Sequence, residues 1–569
     1  AAERLNKESR FPSFRHSRAA DFFEAVKHSD KIPVVRDELN FVFQGCYTTH
    51  SDIKRMNRRG EASLFATEVL ASLAATTGWH YPAQELEKAW QNVLFNQFHD
   101  LLDGSAIAAA YQHSRKLYEE AMEICSRVSS QAESALFERV GRTGGGRIFS
   151  VFNPLGWARS AVIRLKVQGA SSPSVEELST GATLETQVEE DEVVFVASLP
   201  PVGYSTYRLA SRPNEENTGQ GKAGDRENPP GEYILENEFF RVCIDRESGT
   251  LTSLFDKRIQ RELIHPERRG NVFQVLYEKP HGMSAWNIGP ISRTEDLTSG
   301  ASVSLEANGP VFSRVHVERR FRSSRISQDI LVYKRVPRID FVTTIDWQET
   351  GGRDVDAPML KVAFNWNFSS DRIVREIPFG HIESPTDGSE VPSQTFLEFP
   401  GDGFGVALLN DAKYGHDASP DTLRLTLLRS AYEPDPEPDK GLHRFTYSLL
   451  PHPGDWMESE VWKRGHELNV PPRVIQGNRE PRTHSWIRIE SRGIDMPALK
   501  KADHSEALVL RLVEMEGRRK SFKVAFGWPA SQIQKCDLTE RPTGATVDVV
   551  KGEATLELGP YEVGTYLVT

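Results

Sequence analysis

The sequence lacks long apolar runs, clustered cysteines and a basic surface, and each absence argues against a class of protein. No run of eighteen apolar residues occurs among its 569 positions, so the sequence predicts no helical membrane span. The four cysteines lie far apart and form no Cys-x-x-Cys pair, which argues against a disulfide framework or zinc knuckle and favours a reducing compartment. The net charge of -11 and the absence of a basic stripe argue against nucleic-acid binding.

The first forty residues predict only one helix and one extended segment. Residues 20–26 have a helical pattern and residues 32–35 an extended one, which is too little for a domain. The chain starts without Met and without the apolar region of a signal peptide. We therefore expect residues 1–40 to be the end of a larger α/β unit, and the chain to be an N-terminally truncated piece of a longer protein.

The rest of the chain divides into a helical region and a β region. Helix-forming residues dominate from residue 51 to residue 139, with a break at 81–84, so residues 41–143 predict a three-helix bundle. Short alternating strands with Gly and Pro turns then continue to the C-terminus. We predict three β-region segments, which are a small β-sandwich at 147–211, a linker or mobile loop at 212–231, and a large β-sandwich at 232–569.

The segment from Asn92 to Ser105 carries the most informative pattern. It predicts an amphipathic helix that ends at an adjacent His99 and Asp100. The polar side of this helix changes from charged residues to amides, and uncharged amides suit a partly desolvated, hydrogen-bonded setting. Two sets of side chains are expected on opposite faces, with Leu86, Trp90, Val93, Leu94 and Leu101 against the core and Asn92, Asn96, His99 and Asp103 opposite them.

His99 and Asp100 have two interpretations. One is the solvated end of a helix, which is the commoner outcome for an isolated pair. The other is a binding pair, because an imidazole nitrogen can ligate a metal and a carboxylate can bind sugar hydroxyls. Zinc needs at least three protein ligands, so the others would have to come from elsewhere. The His-Ser-Asp triplets at 28–30 and 50–52 are interpreted as caps or solvated turns and do not complete such a site.

Two further segments combine a structural and a functional interpretation. In the segment 44–50, Gly45 would let the backbone approach a ligand and Tyr47 would place a phenol over it. The structural interpretation of this segment is a cap on the next helix by Thr48, Thr49 or Ser51. The Pro- and Asp-rich loop at 434–441 is typical of a rigid surface turn, but it could also lean an Asp or Arg towards an active site.

Taken together, these motifs resemble those of glycoside hydrolase family 38, the zinc-dependent α-mannosidases. The resemblance runs in family order over almost the whole chain, and its tyrosine motif is more similar to bacterial members than to animal lysosomal or Golgi enzymes. The matching segments are Gln44-Gly45-Cys46-Tyr47-Thr48, Lys54-Arg55-Met56-Asn57-Arg58, Gln97-Phe98-His99-Asp100, Gly104-Ser105, Glu236-Asn237-Glu238-Phe239, Thr252-Ser253-Leu254-Phe255-Asp256-Lys257, Arg338-Ile339-Asp340-Phe341, Phe379-Gly380-His381-Ile382-Glu383 and Leu427-Leu428-Arg429.

The resemblance implies a retaining, zinc-dependent glycosidase that hydrolyses terminal α-linked mannose. It implies one Zn2+ per site, with His99 as a ligand and the remaining ligands in an N-terminal (β/α)7 barrel. Asp100 then corresponds to a residue that binds mannose hydroxyls, and Tyr47 to an aromatic that lines the site. A retaining glycosidase also needs a nucleophile and an acid/base. The resemblance places both in the barrel, so the catalytic residues are unknown here, and the chain alone is expected to bind zinc weakly and hydrolyse nothing.

The predicted fold class is therefore a multidomain α+β chain, comprising the end of a (β/α)7 barrel, a three-helix bundle and large C-terminal β-sandwich domains. The expected partner is a mannose-containing oligosaccharide, without nucleic acid or membrane, and homo-oligomerisation is left open. The bacterial-like motif predicts a cytoplasmic location. Two other classes remain open, which are a non-enzymatic β-sandwich protein that binds carbohydrate or acts as a scaffold, and a metal-dependent phosphohydrolase of the helical His-Asp type.

Overall fold

The structure is a computed structural model that describes residues 2–7, 13–35, 43–138, 146–167, 173–211 and 229–569. The chain divides into two compact units, Ala1–Val42 and Phe43–Thr569. The predicted linker at 212–231 lies outside the described residues except for its last three positions. Among the helices of the described ranges, none is both long and apolar enough to cross a membrane.

The first unit contains two short helices, α1 (Ala2–Lys7) and α2 (Ala19–Val26). At the start of α2, the carboxylate of Asp21 accepts a hydrogen bond from the backbone N–H of Arg18 at 3.3 Å. The predicted helix at 20–26 is therefore observed. The predicted strand at 32–35 is wrong, because within residues 13–35 of the structure no neighbouring strand satisfies its backbone groups. That this unit is the end of a barrel stays a prediction.

The second unit begins with a short 3-10 helix and three long helices. The 3-10 helix is Gln44–Tyr47, and the long helices are α3 (Ser51–Ala75), α4 (Ala83–Asn96) and α5 (Ala108–Leu136). The predicted break between helices is observed, with Pro82 immediately before α4. The three long helices pack around side chains with no exposed surface, such as Ile53, Leu64, Val93, Tyr111 and Val128. The bundle therefore has a core of its own.

Residues 146–167 and 173–211 form two small packed sheets. One has the order β1, β7, β3, β4, and the other has the order β2, β6, β5. Phe149, Ile163, Phe195 and Tyr207 are buried between them. The strands are β1 (Gly146–Asn153), β2 (Arg159–Lys166), β3 (Pro173–Glu177), β4 (Ala182–Leu184), β5 (Thr186–Glu189), β6 (Glu192–Leu199) and β7 (Gly203–Ser211).

Three sheets share one large core in the region from residue 232 to residue 453. Its strands are β8 (Glu232–Glu236), β9 (Phe240–Asp245), β10 (Leu251–Asp256), β11 (Arg261–Glu262), β12 (Val272–Glu278), β13 (Ile291–Asp296), β14 (Ala301–Asn308), β15 (Phe312–Phe321), β16 (Ser324–Tyr333), β17 (Ile339–Trp347), β18 (Ala357–Asn365), β19 (Arg372–Ile377), β20 (Gly380–Pro385), β21 (Val391–Pro392), β22 (Phe396–Pro400), β23 (Phe404–Asn410), β24 (Gly415–Ser419), β25 (Thr422–Arg429) and β26 (Gly441–Pro453). The sheet orders are β11-β10-β9-β8, then β13-β12-β18-β25-β24-β21, then β14-β15-β16-β17-β26-β23-β22-β19-β20.

The C-terminal region begins with α6 (Val461–Asn469) and ends in a separate sandwich. Its strands are β27 (Arg473–Ile475), β28 (Thr483–Ser485), β29 (Ile487–Ile489), β30 (Ile494–Lys501), β31 (Leu508–Glu514), β32 (Lys520–Phe526), β33 (Gln532–Cys536), β34 (Pro542–Asp548), β35 (Glu553–Leu558) and β36 (Val563–Val568). The sheet β29-β32-β35 packs on the sheet β30-β31-β36-β33-β34. The same core includes Val69, Leu70 and Leu73 of α3, so this sandwich also contacts the helical bundle.

Strand pairing joins parts of the chain that the sequence pattern separates. β27 pairs with β1 and β28 pairs with β7, with Ser150 opposite Ile475 and Tyr204 opposite His484. The small β region at 146–211 is therefore completed by strands from beyond residue 470. Alternating patterns identify strands but not their partners, so the pairing of β27 and β28 with β1 and β7 could not be predicted from the sequence. The boundaries of the predicted domains themselves stay predictions.

The segment around Gly249 is a hairpin. β9 and β10 are antiparallel neighbours, and Gly249 lies in the turn between them with a φ of 67°. A Cβ at Gly249 would lie only 2.5 Å from Cγ1 of Val317, so both the backbone conformation and the close packing require glycine here. The role of this segment is therefore structural.

Candidate functional site

The turn after α4 presents the His99 and Asp100 side chains to solvent. The helix ends at Asn96, and the turn beyond it carries both residues. Their side chains are 80% and 58% exposed, and His99 Nε2 lies 3.9 Å from Oδ2 of Asp100. The ring of Phe98 lies against that of His99, with 4.1 Å between the ring centroids. The pair is therefore accessible and adjacent, which a ligand-binding role requires.

Buried amides hold this end of α4 in place. Asn92 donates a hydrogen bond to Oε2 of Glu120 at 2.7 Å, and Asn96 donates one to the backbone carbonyl of Ser114 at 3.1 Å, so both amides bind α5. Both side chains are buried. The prediction of a desolvated, hydrogen-bonded amide face is confirmed. The amides bind a neighbouring helix, so they position the turn and do not themselves face a ligand.

The predicted faces of α4 are wrong in two respects. The helical pattern places Leu94 against the core, but Leu94 is 56% exposed and lies beside the exposed Phe95 and Phe98. The same pattern places His99 and Asp103 on the face of the two asparagines. Because the helix ends at Asn96, the helical rotation of 100° per residue no longer fixes where those two side chains lie. The turn is therefore bordered by an exposed apolar surface.

The structure brings the segment 44–50 next to the turn that carries His99 and Asp100. The buried ammonium of Lys54 donates hydrogen bonds to the backbone carbonyls of Thr49 at 2.6 Å and Leu102 at 3.0 Å. Burial lowers the pKa of Lys54 to about 8. A Cβ at Gly104 would lie 2.6 Å from Cγ2 of Thr49, so the two segments are in direct contact. The sequence pattern assigns Lys54 no role, because a lysine on a helix is usually solvated.

Cys46 forms a second link between these segments. Its Sγ lies 3.8 Å from Oδ2 of Asp103, near the end of the turn. Burial, together with the negative charge of Asp103, raises the pKa of the Cys46 thiol to about 12. A thiol with so high a pKa stays protonated at neutral pH, so Cys46 is not an activated nucleophile. Tyr47, next to it, is partly exposed.

Gly45 is required by protein packing. Its N–H donates a hydrogen bond to the carbonyl of Trp286 at 2.8 Å, and a Cβ would lie 2.7 Å from the carbonyl oxygen of Ala285. The same Cβ would lie 2.8 Å from Nη1 of Arg429. The close backbone approach predicted for this glycine is therefore observed, but its partner is the loop at 285–286 and not a ligand.

Arg429 is a buried arginine that holds this region together. Its guanidinium binds the buried carboxylate of Glu278 through two nitrogens, with Nη2 2.7 Å from Oε1 and Nε 3.1 Å from Oε2. Nη2 also donates a hydrogen bond to the carbonyl of Asn287, in the same loop that Gly45 contacts. Arg429 therefore fixes the loop at 285–287 against β12 and β25.

The helix α3 is capped by a residue far away in the chain. The carboxylate of Asp439 accepts a hydrogen bond from the backbone N–H of Ser51 at 2.8 Å, and the Ser51 hydroxyl is bound by the ammonium of Lys413. The predicted caps Thr48, Thr49 and Ser51 are wrong, because the N-cap position is His50 and no local side chain bonds the free N–H groups. The loop at 434–441 therefore stabilises the N-terminus of α3 and is more than a surface turn.

His50 is buried between two carboxylates, although its triplet is interpreted from sequence as a cap or solvated turn. The cap half of that interpretation is confirmed, because His50 is the N-cap residue of α3, but the solvated half is wrong, because its side chain is 1% exposed. Nε2 lies 3.3 Å from Oδ2 of Asp435 and Nδ1 lies 3.7 Å from Oδ1 of Asp52, while the ring lies 3.7 Å from that of Tyr111 between centroids. Burial by itself lowers the pKa of His50, but the carboxylates of Asp435 and Asp52 outweigh it and the net pKa is raised.

We expect the stabilising contribution of His50 to be lost as the pH rises above 6.5. Its pKa in the folded protein is raised above the ordinary value of 6.5, so its stabilising contribution is complete below that value and is lost as the pH rises through the folded pKa. The measurement is the difference in free energy of unfolding between the wild type and His50→Gln across this range. The difference should shrink as pH increases. A difference independent of pH would contradict a charged His50.

The described residues do not contain a complete metal site. No group of three His, Cys, Asp or Glu side chains that could hold a metal ion occurs within these ranges. His99 and Asp100 therefore supply at most two ligands, whereas protein zinc sites use three or four. His28 and Asp30 of the other triplet are exposed, as predicted.

Comparisons with known proteins agree over most of the chain. Three family models match, described as the alpha mannosidase middle domain at residues 42–136, the glycosyl hydrolases family 38 C-terminal domain at 235–437, and the family 38 C-terminal beta sandwich domain at 494–566. Human alpha-mannosidase 2C1 is 28% identical over 588 residues, which cover 100% of this chain and 54% of the relative. Alpha-mannosidase G of Dictyostelium discoideum is 26% identical, over 98% of this chain and 55% of the relative.

A solved structure shares the fold. The crystal structure of an alpha-mannosidase from Enterococcus faecalis V583 superimposes with a TM-score of 0.80 and 16% sequence identity, covering 99% of this chain and 73% of that one. At this identity the likeness concerns the fold alone. The chain spans about half the length of the curated relatives described above.

Proposed function

Because this chain belongs to glycoside hydrolase family 38, we propose that it forms the helical and β part of a zinc-dependent, retaining α-mannosidase, and that its turn with His99 and Asp100 contributes to the mannose site. The observation that carries this proposal is the accessible imidazole–carboxylate pair at the end of α4, on a turn held by buried hydrogen bonds. The proposed substrate is a mannose-containing oligosaccharide. A cytoplasmic location stays a prediction, and homo-oligomerisation stays open.

The proposed roles follow from the chemistry of the two side chains. The exposed imidazole of His99 can offer a ring nitrogen to Zn2+, which when bound would ligate sugar hydroxyls and act as a Lewis acid. The carboxylate of Asp100 can accept hydrogen bonds from ring hydroxyls, and Tyr47 lies in the segment that Lys54 holds against this turn.

The proposed site needs further groups besides His99, Asp100 and Tyr47. A retaining mechanism needs one carboxylate as nucleophile and another as acid/base. We propose that these, together with the other zinc ligands, come from another part of the complete protein, and that the present chain alone is inactive. The exposed apolar residues Leu94, Phe95 and Phe98 beside the turn support a surface that another part of the protein covers.

We expect His99→Ala in the complete protein to lose zinc. Removing one of three or four ligands should weaken zinc affinity by about a hundredfold or more, with turnover of an aryl α-mannoside lost in parallel. Asp100→Asn should keep stoichiometric zinc but lose most of its turnover, because it affects the sugar and not the metal. Metal content by mass spectrometry and steady-state kinetics measure the two effects.

The matched control is His504→Ala, which removes an exposed histidine from the loop between β30 and β31. It should leave both zinc content and turnover unchanged. Unchanged zinc in His99→Ala would reduce His99 to a structural residue. Turnover by the 569-residue chain alone would disprove its proposed inactivity, and absence of zinc and turnover from the complete protein would favour the carbohydrate-binding alternative.

A further inference from the structure

A cleft lined by arginines lies in another part of the second unit than the turn of His99 and Asp100. It has a volume of about 790 Å³ and is bounded by β2, the segment 333–338 and α6. We call it the arginine cleft, defined by Arg159, Arg164, Arg335, Arg338 and Arg464. The cleft shares no residue with the turn of His99 and Asp100, so a ligand bound in it is independent of the proposed mannosidase function.

Four of these arginines have a carboxylate partner. Arg338 binds Asp340, with Nε 2.6 Å from Oδ1, and Arg464 binds Glu467 at 2.6 Å. The other two, Arg164 and Arg335, bind Glu189 and Glu185 respectively, each at 3.0 Å. Their charges are therefore compensated within the protein.

Arg159 is the exception. Its Nη1 donates a hydrogen bond to the carbonyl of Val470 at 2.7 Å, but Nε and Nη2 have no hydrogen-bond partner. Within the part of the chain that the structure describes, no carboxylate forms an ion pair with it. The residue is buried, with an exposed fraction of 5%. Burial, with the like charges of Arg338 and Arg464, outweighs the nearby carboxylate of Glu467 and lowers the pKa of Arg159 to about 10, so the guanidinium is still charged at neutral pH.

A buried guanidinium with two unused donors is costly to keep. Removing such a group from water without a partner is unfavourable by several kcal/mol in general, and natural proteins seldom keep one without compensation. Nε and Nη2 form the edge of the guanidinium that binds two oxygens of a carboxylate or phosphate side by side. The unused edge of Arg159 therefore matches the geometry of an oxyanion.

The charge balance of the cleft leaves one positive charge for a ligand. Four of the five lining arginines are paired with carboxylates, and within the described part of the chain Arg159 has no such pair. The cleft is also larger than a single phosphate needs, and the exposed Ser160 next to Arg159 adds a hydroxyl to its wall.

We propose that the arginine cleft binds a phosphate-bearing ligand, with the Nε–Nη2 edge of Arg159 as its anchor. The ligand is inorganic phosphate or the phosphate group of a small sugar phosphate, which share the same recognised group. Both nitrogens are shielded from solvent, so a neighbouring side chain moves when the ligand enters. Arg464 lines the same cleft and is about one-third exposed, so it can supply a second positive charge to the bound phosphate.

The test is calorimetric titration of the full 569-residue chain, in a buffer free of phosphate, with inorganic phosphate, a hexose 6-phosphate and the unphosphorylated hexose. The two phosphates should bind and the hexose should not. Equal affinities would identify inorganic phosphate as sufficient, and roughly tenfold tighter binding of the hexose phosphate would identify the sugar phosphate. No binding of either phosphate at about 10 mM would overturn the proposal.

Two variants locate the site. Arg159→Met should weaken phosphate binding by about tenfold or more, because it removes a bidentate charged hydrogen bond, and should abolish any phosphate-induced rise in Tm. The control is Arg268→Met, an exposed arginine paired with Asp421 outside the cleft, which should bind phosphate like the wild type. If Arg159→Met does not fold, Arg464→Gln replaces it, with an expected loss of about threefold. Wild-type affinity in the folded variant tested would overturn the proposal.

Discussion

Replacing Arg429 with methionine should lower the free energy of unfolding by about 3–5 kcal/mol. The variant leaves the carboxylate of Glu278 buried without its bidentate partner, and a buried charge that loses its partner is strongly destabilising. It also removes the hydrogen bond to the carbonyl of Asn287, which fixes the loop at 285–287. Chemical denaturation followed by tryptophan fluorescence measures the loss.

A control variant and a double variant show whether the loss of stability comes from the unpaired charge of Glu278 or from lost packing. Arg268→Met removes an arginine whose ion pair with Asp421 is exposed, and should cost no more than about 1 kcal/mol. The double variant Arg429→Met, Glu278→Gln should recover part of the loss, because no uncompensated charge remains. A loss for Arg429→Met as small as that of the control would show that Glu278 is compensated without Arg429, by water or by His281, whose Nε2 lies 3.1 Å from Oε1 of Glu278.

Replacing Lys361 with methionine should cost a similar amount, about 3–5 kcal/mol. Lys361 lies in β18 with its ammonium between the buried carboxylates of Glu390 and Asp417, at 2.6 Å from Oδ2 of Asp417. Arg424 still compensates Asp417 when the lysine is gone, at 2.7 Å from Oδ1. Among the described residues, Glu390 then keeps the hydroxyl of Thr426, at 2.5 Å, and no cation, so it becomes the uncompensated charge.

The rescue for this second variant follows from that asymmetry. Lys361→Met, Glu390→Gln should be more stable than Lys361→Met alone, whereas Lys361→Met, Asp417→Asn should not, because the second change leaves Glu390 charged and removes the partner of Arg424. Equal stability of the two double variants would contradict the assignment of Glu390 as the unpaired group. Denaturant midpoints and slopes measured together would detect any change in the unfolded state.

Local patterns predicted the helices and the character of their surfaces. The break before α4 and the buried amides of Asn92 and Asn96 follow from propensity and from the chemistry of amides, which act over a few residues. The prediction fails at Leu94, which the helical pattern places in the core but which is exposed. A helical pattern assumes that the helix continues, and the position of the last turn determines which side chains keep the predicted face.

Contacts between distant segments could not be predicted. Asp439 caps α3 across 388 positions of sequence, and β27 returns from beyond residue 470 to pair with β1. For the candidate site, His99, Asp100 and Tyr47 were identified from motifs, and their roles stay predictions. Lys54 begins one of the matching motifs, but its role in joining the two segments could not be predicted, because only the folded chain shows which carbonyl groups its ammonium reaches.

Because its cap is distant in sequence, the first turn of α3 can be completed only late in synthesis of the chain. A ribosome releases Ser51 long before it adds Asp439, so the first turn of α3 emerges with free N–H groups and without the carboxylate that later satisfies them. The bundle can collapse around its own core during that interval, but its N-terminal end waits for the strands that carry the loop at 434–441. An excised bundle would therefore need a substitute cap, and a stop codon before residue 434 should leave a helix that frays at its start.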